Sequence, residues 1–221
     1  MTQQISTTTT VSQDATGTTA LTRALLACGV VGAPLFVVAS LVQSSTRDGF
    51  DLKRHPFSML SLGEHGWIQI TNFVVCGLLF IACGAGMRRA LRSGKGRTWG
   101  PQLIAAAGVG MIGGGVFLAD PALGFPAGAP AGSPDALSWH GGLHAVAFAV
   151  GFLSLIIAIF VFAQRYATTG ERGWARYCAA TGAAFVVLSA VGMAGGDFRI
   201  VTVAVVIGWG WVSVMAARLA R

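Results

Sequence analysis

The sequence predicts an all-α integral membrane protein with six transmembrane helices in one bundle. Of its 221 residues, 54% are hydrophobic and only 10% are charged, whereas a soluble domain has about 25% charged residues. The chain also contains long apolar runs, and a helix that crosses a bilayer needs about 20 such residues. Six runs have this length, with approximate bounds 24–43, 68–88, 101–119, 139–163, 175–195 and 200–217.

The stretch before the first run differs in composition from the rest of the chain. Residues 1–22 are rich in Thr and Ser, and such a segment buries too little apolar surface to offset the entropy lost on ordering. We therefore expect a disordered tail over residues 1–22 and one membrane domain over residues 23–221. The segments between the runs are too short to form a separate globular core.

The third run is rich in glycine, and its spelling GVGMIGGG from Gly108 to Gly115 imitates a dinucleotide-binding fingerprint. That fingerprint requires a strand before it and a helix after it. Inside an apolar run, small residues instead allow helix backbones to approach closely. The run predicts close helix packing and no nucleotide binding.

The basic residues predict the orientation of the chain in the membrane. Because Lys and Arg concentrate on the cytoplasmic side of membrane proteins, both termini are predicted to be cytoplasmic in a multi-pass protein of the plasma membrane. The cations lie at the ends of runs, so the net charge of +7 indicates topology rather than nucleic-acid binding. Eleven of the fifteen fall on the predicted inner side: Arg23, Arg88, Arg89, Arg92, Lys95, Arg97, Arg165, Arg172, Arg176, Arg218 and Arg221.

The basic segment 88–97 has a second interpretation. A cation near an anionic leaflet contributes about 1 kcal/mol of surface attraction. The preferred interpretation is that the segment anchors the topology. The alternative is a specific site for a lipid headgroup.

The loop after the first run contains the string HPFSMLSLGEHGWIQ, which begins at His55. With the glycine-bearing span, the basic segment, an Asp closing the third run and a His in the fourth, it resembles a bacterial membrane family catalogued as domain of unknown function 998. The resemblance covers about residues 24–217 and implies a six-span protein without an established activity. The layout is distantly similar to the Frag/DRAM/Sfk group, which supports no reaction. The most specific positions are His55, Pro56, Ser58, Gly63, Asp120 and His144.

Polar residues gather on the predicted outer side, which holds all four histidines and six of the eight acids. His140 and His144 are four residues apart and therefore share a helix face. Ser138 is a suitable N-cap for the fourth helix, and the positive end of the helix dipole there disfavours imidazolium. We predict an outward-facing pocket that is built from His55, Ser58, Asp120, His140 and His144.

Two other interpretations of these residues stay open. His140, His144 and one or both of Asp120 and His55 could ligate a divalent metal, with zinc as the candidate, and leave an open position for hydrolysis. The glutamate of an HExxH motif is absent because Gly141 occupies its place. Alternatively, the groups tie the outer loops together, with Asp120 accepting hydrogen bonds from His144 or from loop amides.

The composition of the runs disfavours a coupled transporter and leaves three classes of function. Coupled transporters keep ionisable residues deep in the membrane, and none of the six runs has one near its middle. The leading hypothesis is binding of a lipid or small amphiphile, with membrane lipids as partners, no nucleic acid, and no assured cofactor. The alternatives are a metal-dependent membrane hydrolase acting on lipid and a structural or assembly protein. Oligomeric state and catalysis are left open.

Overall fold

The computed structural model describes residues 19–221, and its secondary structure is helical. Six long helices and one short 3₁₀ helix account for the regular elements of this part of the chain. The prediction of an all-α protein with six long helices is confirmed. The helices are α1 (Ala20–Thr46), α2 (Gly66–Ala90), α3 (Trp99–Val116), α4 (Trp139–Thr168), α5 (Arg172–Gly195) and α6 (Phe198–Ala220), and the 3₁₀ helix is Phe57–Ser61.

Five of the six helices, α1, α2, α4, α5 and α6, are long and apolar enough to cross a membrane. The protein is therefore a multi-pass membrane protein. The remaining helix, α3, has 18 residues, which at 1.5 Å each extend about 27 Å, slightly less than the hydrocarbon core of about 30 Å. The sixth span of the prediction thus corresponds to a shorter helix that lies between α2 and α4.

The first helix begins earlier than its apolar run. Thr19 is the N-cap of α1, and its side-chain oxygen accepts a hydrogen bond from the Thr22 amide. Residues 20–22 therefore belong to α1 rather than to the predicted tail. Residues 1–18 of that predicted tail lie outside the described part of the chain.

The helices form a closed ring, in which each helix packs against the next along the chain and α6 returns to α1. Glycines allow the closest approaches within the ring. A Cβ atom built on Gly110 would lie 2.5 Å from the Gly151 amide nitrogen, and one on Gly77 would lie 2.6 Å from the Gly108 carbonyl oxygen. The close packing that the glycine-rich third run predicts is confirmed.

The ring has two different ends. The histidine end consists of residues 47–65, 117–138 and 196–197, which connect the helices on one side. The basic end consists of residues 91–98 and 169–171 together with the start of α1 and the end of α6. All four histidines lie at or beside the histidine end, and most Lys and Arg residues lie at or beside the basic end.

Candidate functional site

Two loops cover the histidine end, and His55 joins them. The residue is 2% exposed, its Nδ1 accepts a hydrogen bond from the Asp51 amide at 2.9 Å, and its Nε2 lies 3.0 Å from the Leu123 carbonyl oxygen. An amide only donates and a carbonyl only accepts, so His55 is neutral with its hydrogen on Nε2. Both ring nitrogens are occupied, which leaves neither for a ligand.

Arg47 also contacts both of these loops. Its guanidinium donates to the Leu60 carbonyl at 3.2 Å and to the Leu62 carbonyl at 2.6 Å, and it lies over the ring of Phe125. Beneath it, the two loops share a small apolar core. That core consists of Met59, Leu62, Ala122 and Phe125.

Asp120 lies in the loop after α3 and not at the end of the third span, because α3 ends at Val116. Its Oδ2 accepts from the Ser138 amide at 2.9 Å, and its Oδ1 accepts from the Ser138 hydroxyl at 2.5 Å. These hydrogen bonds lower the pKa of the Asp120 carboxyl below its usual value. The carboxylate also sits at the positive end of the α4 dipole, which favours its ionised form.

Ser138 is the N-cap of α4, as its position predicts. Its hydroxyl oxygen accepts from the Gly141 amide at 3.1 Å while its hydrogen goes to Asp120. A Cβ atom on Gly141 would lie 2.1 Å from Asp120 Oδ2. The carboxylate therefore requires a glycine at the position where an HExxH helix has its glutamate.

His140 and His144 bind the end of α3. Nδ1 of His144 lies 2.8 Å from the Phe117 carbonyl oxygen, and Nδ1 of His140 lies 3.0 Å from the Leu118 carbonyl oxygen. Because carbonyls only accept, both Nδ1 atoms carry hydrogen and donate it. The last carbonyls of a helix lack partners within it, and the two imidazoles supply donors there. Asp120 accepts from Ser138 and not from His144.

The same hydrogen bonds determine which histidine nitrogens remain available to a metal ion. A neutral imidazole that donates through Nδ1 keeps an Nε2 lone pair, which is the form that ligates zinc. Across residues 19–221, however, no three His, Cys, Asp or Glu side chains form a group that could hold a metal ion. The zinc site with His140, His144 and Asp120 as ligands stays a prediction.

Two adjoining cavities lie beneath the 3₁₀ helix, inside the ring. One of about 50 Å³ includes Ser58 and His144 in its lining, and the other, of about 80 Å³, includes Ser58 and Thr202. Four aromatic residues line both cavities. The two cavities share Ser58, Phe73, Phe148, Phe152 and Trp209, and we call them together the aromatic cleft.

Trp209 has an unsatisfied hydrogen-bond donor beside this cleft. The residue is 5% exposed, and its ring lies 5.9 Å from that of Phe36 and 5.6 Å from that of Phe152. Its buried indole N–H has no acceptor among residues 19–221, although a buried tryptophan usually finds one. Neighbouring Trp211 satisfies this rule, because its N–H donates to the Cys178 sulfur at 3.3 Å.

The five residues of the predicted pocket do not converge on one space. Ser58 and His144 line the aromatic cleft. Asp120 and His140 lie with His144 in the junction between α3 and α4, whereas His55 joins the loops above. Sequence reasoning missed Trp209, whose only signal was a polar N–H within an apolar run.

The ring of apolar helices, capped by ordered loops, defines the class as multi-pass helical membrane proteins. The chain belongs to the family described as Protein of unknown function (DUF998), whose model matches residues 30–218. That range contains every site residue named above, and it confirms the family resemblance that the sequence predicts. No match to a curated protein or to a solved structure was found.

Proposed function

We propose that this protein binds a lipid or small amphiphile in the aromatic cleft. The observation that carries the proposal is the buried N–H of Trp209, which has no acceptor in residues 19–221 and belongs to a ring that lines the cleft. An unsatisfied polar group within a membrane costs several kcal/mol. A ligand oxygen that reaches this N–H from the cleft would offset that cost.

The walls of the cleft suit an alkyl or acyl chain. Phe36, Phe73 and Phe152 are among the aromatic residues that line the cleft, and burial of apolar surface stabilises by about 25 cal/mol per Å². The cavities of about 50 and 80 Å³ hold only a short segment, since one water takes about 30 Å³. The rest of the ligand would therefore lie in the bilayer.

The cleft reaches the outside of the bundle beside Phe148 of α4, which lines both cavities while it is 38% exposed. A chain can therefore enter from the side of the bundle. Three of the lining residues carry polar groups, because a neutral imidazole at His144 accepts at Nε2, the Ser58 hydroxyl both donates and accepts, and the Trp209 indole donates. This set favours an amphiphile with a hydroxyl or carbonyl oxygen.

The proposal places the histidine end outside the cell and both termini in the cytoplasm of a plasma-membrane protein. The excess of Lys and Arg at the basic end supports this orientation. A reporter fused after Arg221, active only in the cytoplasm, tests it. Activity only from a periplasmic or extracellular reporter at the same site would reverse the assignment.

Lipid retention in native mass spectrometry tests the binding. Protein extracted in a mild detergent is expected to retain about one lipid or amphiphile per chain. Thr202→Trp fills the cleft and is expected to lower this retention at least tenfold. The matched control is Val203→Trp, which places the same indole on the neighbouring residue, 50% exposed on the outer surface of α6, and retains the ligand.

A second variant isolates the hydrogen bond. Trp209→Phe keeps an aromatic ring but lacks the N–H, so we expect the retained ligand to dissociate about tenfold more readily, as the loss of one hydrogen bond of about 1.4 kcal/mol predicts. Equal retention in wild type, Thr202→Trp and Val203→Trp would refute the cleft as the site. Melting curves of each variant establish that it remains folded.

The other two functions stay predictions, since no observed contact favours them. Elemental analysis of the purified protein tests the hydrolase, which requires about one zinc per chain that is lost in His140→Ala and His144→Ala. Wild-type protein that retains neither metal nor lipid would leave the structural or assembly role.

A further inference from the structure

A second groove lies at the basic end, on the outer surface between α3 and α4. Its volume is about 510 Å³. Leu103, Ile157 and Val161 form an apolar floor along the helices, and Ile157 is 49% exposed. Lys95 and Gln164 stand at the end of the groove, together with Trp99, which is 68% exposed.

The loop that carries Lys95 is held in place against α4. One guanidinium nitrogen of Arg165 donates to the Ser93 carbonyl at 2.7 Å and to the Lys95 carbonyl at 2.9 Å. Gly96 has a φ of 77° and lies so close to Val161 that a Cβ atom there would be 3.0 Å from its Cγ1. The backbone of Lys95 is thus fixed at the mouth of the groove, while its ammonium group is exposed.

The charge around the groove has one sign. Residues 88–97 include five cations and no carboxylate. Within residues 19–221, Arg199 pairs with Asp197 and Arg218 pairs with Glu171, and Asp120 lies 3.8 Å from Nδ1 of His140. Lys95 therefore has no anionic partner in the described chain. An anion is the complementary ligand for this position.

We propose that this groove binds an anionic phospholipid of the leaflet at the basic end. One acyl chain lies along Leu103, Ile157 and Val161, and the phosphate contacts Lys95 and accepts a hydrogen bond from the Gln164 amide. Trp99 places its ring at the headgroup level, where indole is enriched. A zwitterionic lipid offers the same chain but carries a compensating positive charge, which weakens the attraction to Lys95.

Titration with defined lipids tests the site. Delipidated protein in detergent is titrated with phosphatidylglycerol or phosphatidylcholine, and bound lipid is counted by native mass spectrometry. Wild type is expected to prefer phosphatidylglycerol. Lys95→Ala should weaken that binding about fivefold, since a cation near the surface contributes about 1 kcal/mol. Arg176→Ala removes an exposed charge at the same end but outside the groove, and it should leave the binding within twofold.

A second pair of variants tests the floor of the groove. Ile157→Trp fills it and should lower phosphatidylglycerol binding, whereas Leu153→Trp lies one turn away on the same exposed face of α4 and should not. Equal losses in Lys95→Ala and Arg176→Ala, or no preference in wild type, would overturn the proposal. Thr202→Trp is expected to leave the preference intact, so failure of this site is distinguishable from failure of the aromatic cleft.

Discussion

The two ends of the bundle differ in whether their most conspicuous polar side chains are bound within the protein. At the histidine end, His55, His140 and His144 each bind a backbone carbonyl, and Asp120 binds the Ser138 amide and hydroxyl. At the basic end, Arg165 binds carbonyls of the loop, but Lys95 remains exposed and has no ion pair within residues 19–221.

This difference has a physical cause. The chain between α3 and α4 is long and irregular, so its carbonyls and amides need partners that no helix provides. Histidine, serine and aspartate at the helix ends provide them. The loop between α2 and α3 is short, and a few contacts fix it, which leaves its remaining cations for other partners. A conspicuous polar residue is therefore a weaker indication of a ligand where much irregular backbone lies beside it.

The largest effect is expected from a substitution at Gly141 that disrupts the histidine end. Gly141→Ala places a Cβ atom 2.1 Å from Asp120 Oδ2, which either strains the helix or expels the carboxylate from Ser138. We expect a loss of about 3 kcal/mol in the free energy of unfolding, from overpacking and lost charge-assisted hydrogen bonds. Chemical denaturation in detergent micelles measures it.

The adjacent glycine provides the control for that measurement. A Cβ atom on Gly142 meets nothing within 4 Å, so Gly142→Ala should leave stability unchanged or raise it by about 0.5 kcal/mol, because alanine favours the helix. Equal destabilisation by the two substitutions would show that the Asp120 carboxylate does not constrain this turn.

Much of the fold is predictable from the sequence, because each helix coincides with an apolar run of suitable length. Ser138 as N-cap was also predictable from its position before a run, and the shared face of His140 and His144 from their spacing. The position at which α3 ends was not predictable in this way. The run continues through Phe117 and Leu118, and hydropathy alone does not show that these carbonyls leave the helix to accept from histidines.

The composition of the candidate site was harder to predict, because it depends on contacts that are distant in sequence. His55 reaches the Leu123 carbonyl, 68 residues away, and no local pattern indicates that partner. The unsatisfied N–H of Trp209 and the satisfied N–H of Trp211 are two residues apart in one helix. Only the packing of the neighbouring helices distinguishes them.

A pair of substitutions with an intermediate expected effect on stability compares the two ends directly. His144→Leu removes the donor to the Phe117 carbonyl and leaves that oxygen without its partner, which should cost about 1–3 kcal/mol. Lys95→Leu removes an exposed ammonium group, and its effect on unfolding should stay within about 0.5 kcal/mol. Denaturation of both variants in the same detergent tests the contrast. Similar losses at the two positions would contradict the division between bound and free polar groups.

The smallest expected effect is a dependence on pH that originates at Asp120. Since its pKa is lower in the folded protein than in the unfolded chain, its stabilising contribution is complete above the unfolded value of about 3.9 and is lost as the pH falls below that value through the folded pKa. Ser138→Ala removes the hydroxyl bond and the N-cap, which should cost about 1 kcal/mol at neutral pH. The difference between wild type and Ser138→Ala should therefore shrink as the pH falls below 3.9. A difference that stays constant from pH 7 to pH 3 would show that Ser138 acts on the helix alone and not through the carboxylate.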